Sequence, residues 1–138
     1  MNDIYVFDAC ALIALLTRET GYENVESIIK QAADGQVKIV MHTLNLYEVY
    51  NDVCRSYDET AALVFLQETE KSPITLRSEI SMEMIISASA LKRKYKMSLA
   101  DSIGLAQTII SQGIFVTADH HELDVVARNE EIGFSWIR

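Results

Sequence analysis

Proline is almost missing from this chain. Pro73 is the only one in 138 residues, and it follows Lys71-Ser72 at what reads as an element boundary. No linker, internal repeat or low-complexity segment interrupts the sequence. Length and continuity therefore point to a single domain over residues 1–138. Cysteine is scarce too. Cys10 and Cys54 are the only two, and without a secretory mark they are expected as free, buried thiols of a reducing cytosol. No apolar run is long enough to span a bilayer. The opening "MNDIYVFDAC" carries an early acid and no basic region, unlike a signal peptide. The expectation is a cytoplasmic protein with no membrane association. Positive charge is also in deficit: Lys+Arg 12 against Asp+Glu 20 leaves −8 at pH 7. That excludes a generic nucleic-acid coat, which works by neutralising phosphates. It leaves room for a nuclease, whose clustered carboxylates bring such a charge, and for a basic protein partner.

What the chain does have is apolar substance, 49% of its residues, enough for a core at this size. Short β-rich runs alternate with helical patterns. "DIYVFD" (Asp3–Asp8), "VKIVM" (Val37–Met41), the weaker "ITLR" (Ile74–Arg77) and "IFVTA" read as strands, with "FSWI" as a last edge strand. "ACALIALLTRE" and "YENVESIIKQAADG" read as helices, the second stopped at Gly35. "TLNLYEVYNDVCRSY" is a helix with Thr43 at its N-cap, and "DETAALVFLQETEKS" is one capped by Asp58. A helix from about Glu79 to Lys96 sets Ile80, Met84, Ile85, Ala88 and Leu91 on one stripe. "SLADSIGLAQTIISQG" runs from Ser98 to a stop at Gly113, and "HHELDVVARNEE" forms a last short helix. The alternation predicts an α/β fold with a mainly parallel sheet, and the apolar, β-branched strands suit a sheet covered on both faces.

The stretch "FVTADHHELD" turns from apolar strand to acids and imidazoles within a few residues. In an open parallel sheet, ligands bind beyond the carboxyl ends of the strands. Asp8 ends the first strand and Asp119 follows "IFVTA". Glu48 lies on the helix entered after "VKIVM", and Asp101 in the first turn of the helix opened by Ser98. Four acids from separate segments thus face one edge of the sheet. Clustered carboxylates repel, and become tolerable around a hard divalent cation that prefers oxygen ligands. Such an ion activates water and offsets charge on a phosphoryl oxygen. Each acid also has a plainer reading. Asp8 and Asp119 could be N-caps, Asp101 could form a capping-box-like pair with Ser98, and Glu48 could be a solvated helix residue. Asp124 reads as solvent-facing. His120 and His121 read as rim residues, because adjacent histidines point apart on a helix and neither has a zinc-spaced partner.

Four blocks, "YVFDACALIALL", "HTLNLYEVYNDV", "MSLADSIGLAQTI" and "GIFVTADHHELD", carry a resemblance to the PIN domain. Within it they resemble the toxin ribonucleases of VapBC-type toxin–antitoxin modules. One acid in each block matches the family's acidic set: Asp8, Glu48, Asp101 and Asp119. The resemblance implies an α/β/α sandwich around a central, mainly parallel sheet of four to five strands. It implies Mg²⁺- or Mn²⁺-dependent endonucleolytic cleavage of RNA, a cognate antitoxin and a homodimer. One departure stands out. The family often places Ser or Thr just after the first Asp, where this chain has Ala9 and Cys10, and a thiol is a weak polar contact. Thr117 matches a hydroxyl often found before the last acid, and reads equally as an ordinary strand threonine.

The implied reaction is in-line hydrolysis of an RNA phosphodiester at the carboxylate-held metal. For RNA binding, "LKRKYK" offers Lys92, Arg93, Lys94 and Lys96 around Tyr95, which could stack on a base. Its alternative is a solvated helix end complementing the dipole. Arg18 and Arg55 are further cationic candidates. Competing functions are a non-catalytic PIN-like interaction module and a stand-alone RNA-processing nuclease. A phospho-accepting signalling domain is disfavoured because no lysine follows "IFVTADHH", and a two-aspartate phosphatase because Asp8 is followed by Ala-Cys-Ala.

Overall fold

The computed structural model describes residues 3–138. Along the chain run β1 (Ile4–Phe7), α1 (Ala9–Thr17), α2 (Tyr22–Ala33), β2 (Lys38–His42), α3 (Thr43–Ser56), α4 (Glu59–Lys71), β3 (Ile74–Arg77), α5 (Met82–Lys94), α6 (Leu99–Ser111), β4 (Ile114–Thr117), α7 (His120–Asn129) and β5 (Gly133–Trp136). The strands form one sheet in the order β3-β2-β1-β4-β5, and every pairing is parallel. Among the described residues this is a five-stranded, all-parallel α/β sandwich with seven flanking helices. "FSWI" does supply the edge strand, as β5.

The period-2 alternation of each strand divides the core into two faces. Phe7 and Val116 turn toward α1, α2, α3 and α4, where they meet Leu12, Val25, Leu46 and Val49. Val6 and Phe115 turn the other way, toward Leu105 of α6 and Leu123 and Val126 of α7. Burial of each large apolar side chain contributes roughly 1.5–3 kcal/mol. β1 is covered on both faces at the centre of the sheet, so the position of Asp8 just beyond the buried Val6 and Phe7 is set by the core.

Two helix starts differ from the sequence pattern. The N-cap of α3 is His42, not Thr43: its Nδ1 accepts the Leu44 N–H at 3.1 Å. Its Nε2 therefore carries the proton and donates to the Glu79 carbonyl at 3.0 Å. A buried imidazole at the strand end satisfies two backbone groups at once. The helix expected from Glu79 begins at Met82, because the Ser81 hydroxyl accepts the Met84 N–H at 3.2 Å and caps it there. Ile80 then lies outside the helix, and it and Ile85 are exposed, while Met84, Ala88 and Leu91 form the buried stripe.

Gly104 determines how closely α6 approaches the sheet. A Cβ there would stand 2.9 Å from a Phe115 ring carbon and 3.2 Å from Asn45 Nδ2. Asn45 is fully buried on α3, and its Nδ2 donates to the Ala100 carbonyl at 3.2 Å, tying α3 to the first turn of α6. The gain in helix propensity from Gly104→Ala, about 1 kcal/mol, is outweighed by overpacking of about 1–3 kcal/mol. Gly104→Ala is expected to lower the melting temperature by a few degrees, measured by thermal denaturation; an increase would mean that α6 has room to shift.

Candidate metal centre

Strand order reverses between β1 and β4, which makes the carboxyl ends of these two strands the switch point of the sheet. Asp8 leaves β1 and Asp119 follows β4 at this place. A cleft of about 350 Å³ opens there, and Asp8, Glu48, Asp101 and Asp119 all line it. Glu122, Asp52, Cys10, Ser98 and Arg55 complete much of its wall.

Local hydrogen bonds fix three of the four acids. Asp8 caps α1, accepting the Ala11 N–H at 3.1 Å. Asp119 caps α7, accepting the Glu122 N–H at 3.2 Å, and its own N–H donates to the Thr117 hydroxyl at 3.1 Å. Ser98 caps α6 by accepting the Asp101 N–H at 3.0 Å. The capping readings and the shared-site reading of these acids hold together, because a helix N-terminus is where both are met. Glu48 projects from α3 half-buried. Asp101, Asp119 and Glu122 each offer a carboxylate oxygen, all within 4.8 Å of one another. Asp8 and Glu48 share the cleft without joining that trio.

Glu122 is the residue that sequence reasoning left without a role. Its signal lies in "DHHE": an acid at an N-cap and another three residues on come to the same helix end.

The electrostatics are those of carboxylates drawn out of water. Burial pushes Asp8 up to about 7, with Asp101 adding repulsion, while donors from Thr117, Ala11 and Cys10 pull it back. Burial pushes Asp101 up to about 6, reinforced by Asp119, Glu48 and Glu122. Burial raises Glu48 as well. The Cys10 thiol, buried beside Asp8, is pushed up to about 12, so it stays protonated and serves Asp8 as a weak donor rather than as a thiolate. The donors left for an ion are therefore oxygens alone, gathered closely enough for shared coordination. That fits a hard divalent cation such as Mg²⁺ or Mn²⁺ and does not suit a soft one.

Several of the other candidates are engaged within the chain. His120 contacts Asp124 Oδ1 through Nδ1 and the Arg138 carbonyl through Nε2, both at 2.7 Å, and stacks on Trp136. Asp124 is held at the rim by that contact rather than directed into the cleft. His121 is exposed. Tyr95, expected as a stacking platform, donates its hydroxyl to Glu130 at 2.6 Å. Lys94 lies 3.5 Å from the same carboxylate, and Lys92 donates to the Met97 carbonyl at 2.8 Å. Tyr95, Lys92 and Lys94 thus fasten the end of α5 to its surroundings. Arg18 is spent on Tyr22, through a 3.1 Å hydrogen bond and a contact over the ring.

A parallel α/β sandwich with carboxylates at its switch point defines the class. The sequence matches the PIN domain over residues 5–129, and the chain belongs to that family. Solved structures agree on the fold. A toxin–antitoxin complex from Klebsiella pneumoniae is 19% identical with a TM-score of 0.66, covering 97% of this chain and 98% of that one. VapBC2 from Rickettsia felis, bound to a fragment of promoter DNA, is 14% identical with a TM-score of 0.70, over 96% and 97% of the two chains. VapC20 of Mycobacterium tuberculosis, a sarcin–ricin loop cleaving toxin, is 13% identical with a TM-score of 0.62, over 82% and 87%. No significant match is found among curated proteins. Among the described residues, no helix is long and apolar enough to cross a membrane.

Asp8 and Asp101 bind a proton more tightly in the folded chain than in the unfolded one, where a carboxyl titrates near 3.8. Their contribution to stability is therefore fully present below that value and lost as pH rises through about 6 and about 7. In chelator, Asp8→Asn keeps the helix cap and removes the buried charge. It should raise the melting temperature at pH 8 by roughly 5 °C or more and flatten its decline between pH 5 and pH 8. A variant that melts lower than wild type at pH 8 would show that Asp8 is well accommodated as an anion.

Proposed function

We propose that this protein is a metal-dependent endoribonuclease, the toxin of a toxin–antitoxin pair, working in the cytoplasm. The observation that carries the reading is the arrival of Asp8, Glu48, Asp101 and Asp119 from four separate segments in one cleft at the sheet's switch point. Asp101, Asp119 and Glu122 would hold Mg²⁺ or Mn²⁺, with Asp8 and Glu48 supplying further charge and contacts to its water. A divalent cation held there lowers the pKa of water and offsets charge on phosphoryl oxygens during in-line hydrolysis. The chain's own work is placement. Thr117 holds the Asp119 backbone and directs its hydroxyl to Asp8, and Ser98 fixes the turn that bears Asp101. The strand order also favours this reading over the phospho-accepting alternative, whose usual order is 2-1-3-4-5.

The toxin assignment draws on neighbours solved as toxin–antitoxin complexes. The expected partners are an antitoxin and a second copy of the chain. The pairing surface we assign is the exposed apolar side of α5 and α6, where Met82, Ile85, Ile86 and Leu99 stand clear of the acidic cleft. Ile86→Glu is expected to yield a monomer by sedimentation at micromolar concentration where wild type sediments as a dimer. An unchanged distribution would move the interface elsewhere.

Asp101→Asn nearly preserves shape and leaves the Ser98 cap in place, because that cap uses the Asp101 backbone N–H. If Asp101 helps hold the ion, RNA cleavage in Mg²⁺ or Mn²⁺ should fall at least about a hundredfold, and Mn²⁺ binding measured by calorimetry should weaken with it. Equal cleavage by both proteins, or cleavage indifferent to chelator, would sink the metal-nuclease mechanism.

A further inference from the structure

A nuclease cleft so acidic would have to admit a polyanion, and α3 carries a cationic side chain that would help it do so. Glu48, Asp52 and Arg55 occupy one stripe of α3, at i, i+4 and i+7, and all three line the cleft. Arg55 is the only Lys or Arg among the lining residues. Its Nη2 stands 3.9 Å from Asp52 Oδ1, outside hydrogen-bond reach, and its side chain is 72% exposed. By contrast, Arg18, Lys92 and Lys94 are engaged with groups of the chain itself. We propose that Arg55 is the substrate-positioning residue of the cleft, a guanidinium that grips an RNA phosphate beside the scissile one and holds the strand over the carboxylates. It rests on the nuclease reading of the same cleft and adds how the substrate is held there.

The chemistry favours arginine for this position. A planar guanidinium matches two phosphate oxygens at once and keeps its charge at any working pH. A bound cation answers the charge of the phosphate being cleaved, but the neighbouring phosphate still faces Asp52 and Glu48 and needs a cation of its own. Asp52 is near enough to Arg55 to compete weakly for it without immobilising it, so phosphate displaces a loose ion pair of little worth.

The test is anisotropy of a short fluorescein-labelled single-stranded RNA in Ca²⁺, with RNA integrity checked on a gel, alongside Mn²⁺ calorimetry on RNA-free protein. Arg55 is exposed and Asp52→Asn is nearly isosteric, so both variants should fold. Arg55→Ala should weaken RNA binding about tenfold. The slope of log K against log salt should become shallower by about 0.7. Arg55→Lys should fall between Arg55→Ala and wild type, and Asp52→Asn should bind RNA more tightly than wild type. Mn²⁺ affinity of Arg55→Ala should stay within about twofold of wild type, and in cleavage assays its loss should fall on KM rather than kcat. Equal RNA affinity of wild type and Arg55→Ala, including no measurable binding by either, would overturn the proposal. So would an equal loss of Mn²⁺ affinity, which would place Arg55 in the support of the metal site. Arg55-dependent RNA binding by a protein whose cleavage is indifferent to chelator would instead remove the metal-nuclease reading and leave Arg55 as an RNA contact.

Discussion

Carboxylates gathered in a partly dry cleft repel one another, and the rest of this structure has to overcome that repulsion. Asp8 and Asp101 sit well above the ordinary carboxylate range because burial and neighbouring charge both disfavour their ionised forms. A chain that held them only through flexible loops would let them part. Here Asp8 is anchored to the central strand of the sheet, and the others stand at or near the starts of helices packed on it. The apolar core is what makes the acidic arrangement affordable, and a bound cation would relieve its remaining strain.

Helix capping does double duty in this economy of residues. α1, α6 and α7 all begin at the cleft, and their N-terminal amides are satisfied by Asp8, Ser98 and Asp119. The positive ends of three helix dipoles therefore converge on the place where negative charge collects, which partly offsets the repulsion before any ion arrives. Asn45 adds a cross-link of another kind. By tying α3 to the first turn of α6, it couples the helix bearing Glu48 to the one bearing Asp101. Cys10 takes a small part, as a weak donor to Asp8.

Solved relatives share the fold over nearly the whole chain at identities between 10% and 19%. At such distance what is shared is the fold. Many combinations of Leu, Ile and Val fill a sandwich of this size equally well, whereas the acids can meet only at one edge of the sheet.

The strand and helix alternation of this chain and its parallel α/β class were legible from pattern alone, because period-2 and helical spacing are local properties written by burial, and the edge on which the acids fall followed from the general rule for parallel sheets. The helices begun by Asp58 and Ser98 were legible for the same reason, since a capping oxygen acts within three residues. The start of α3 was not: His42 caps it because its ring also meets the Glu79 carbonyl, a contact across 37 positions of sequence. The basic run before Met97 read either as an RNA contact or as a solvated helix end, and neither reading pointed to Glu130, distant in sequence, which holds Tyr95 and Lys94. Likewise Glu122 joins Asp101 and Asp119 only because α6 and α7 open side by side. Local spacing can say which residues share a face of one element. Which elements stand together at the cleft is decided by packing between segments far apart in the chain.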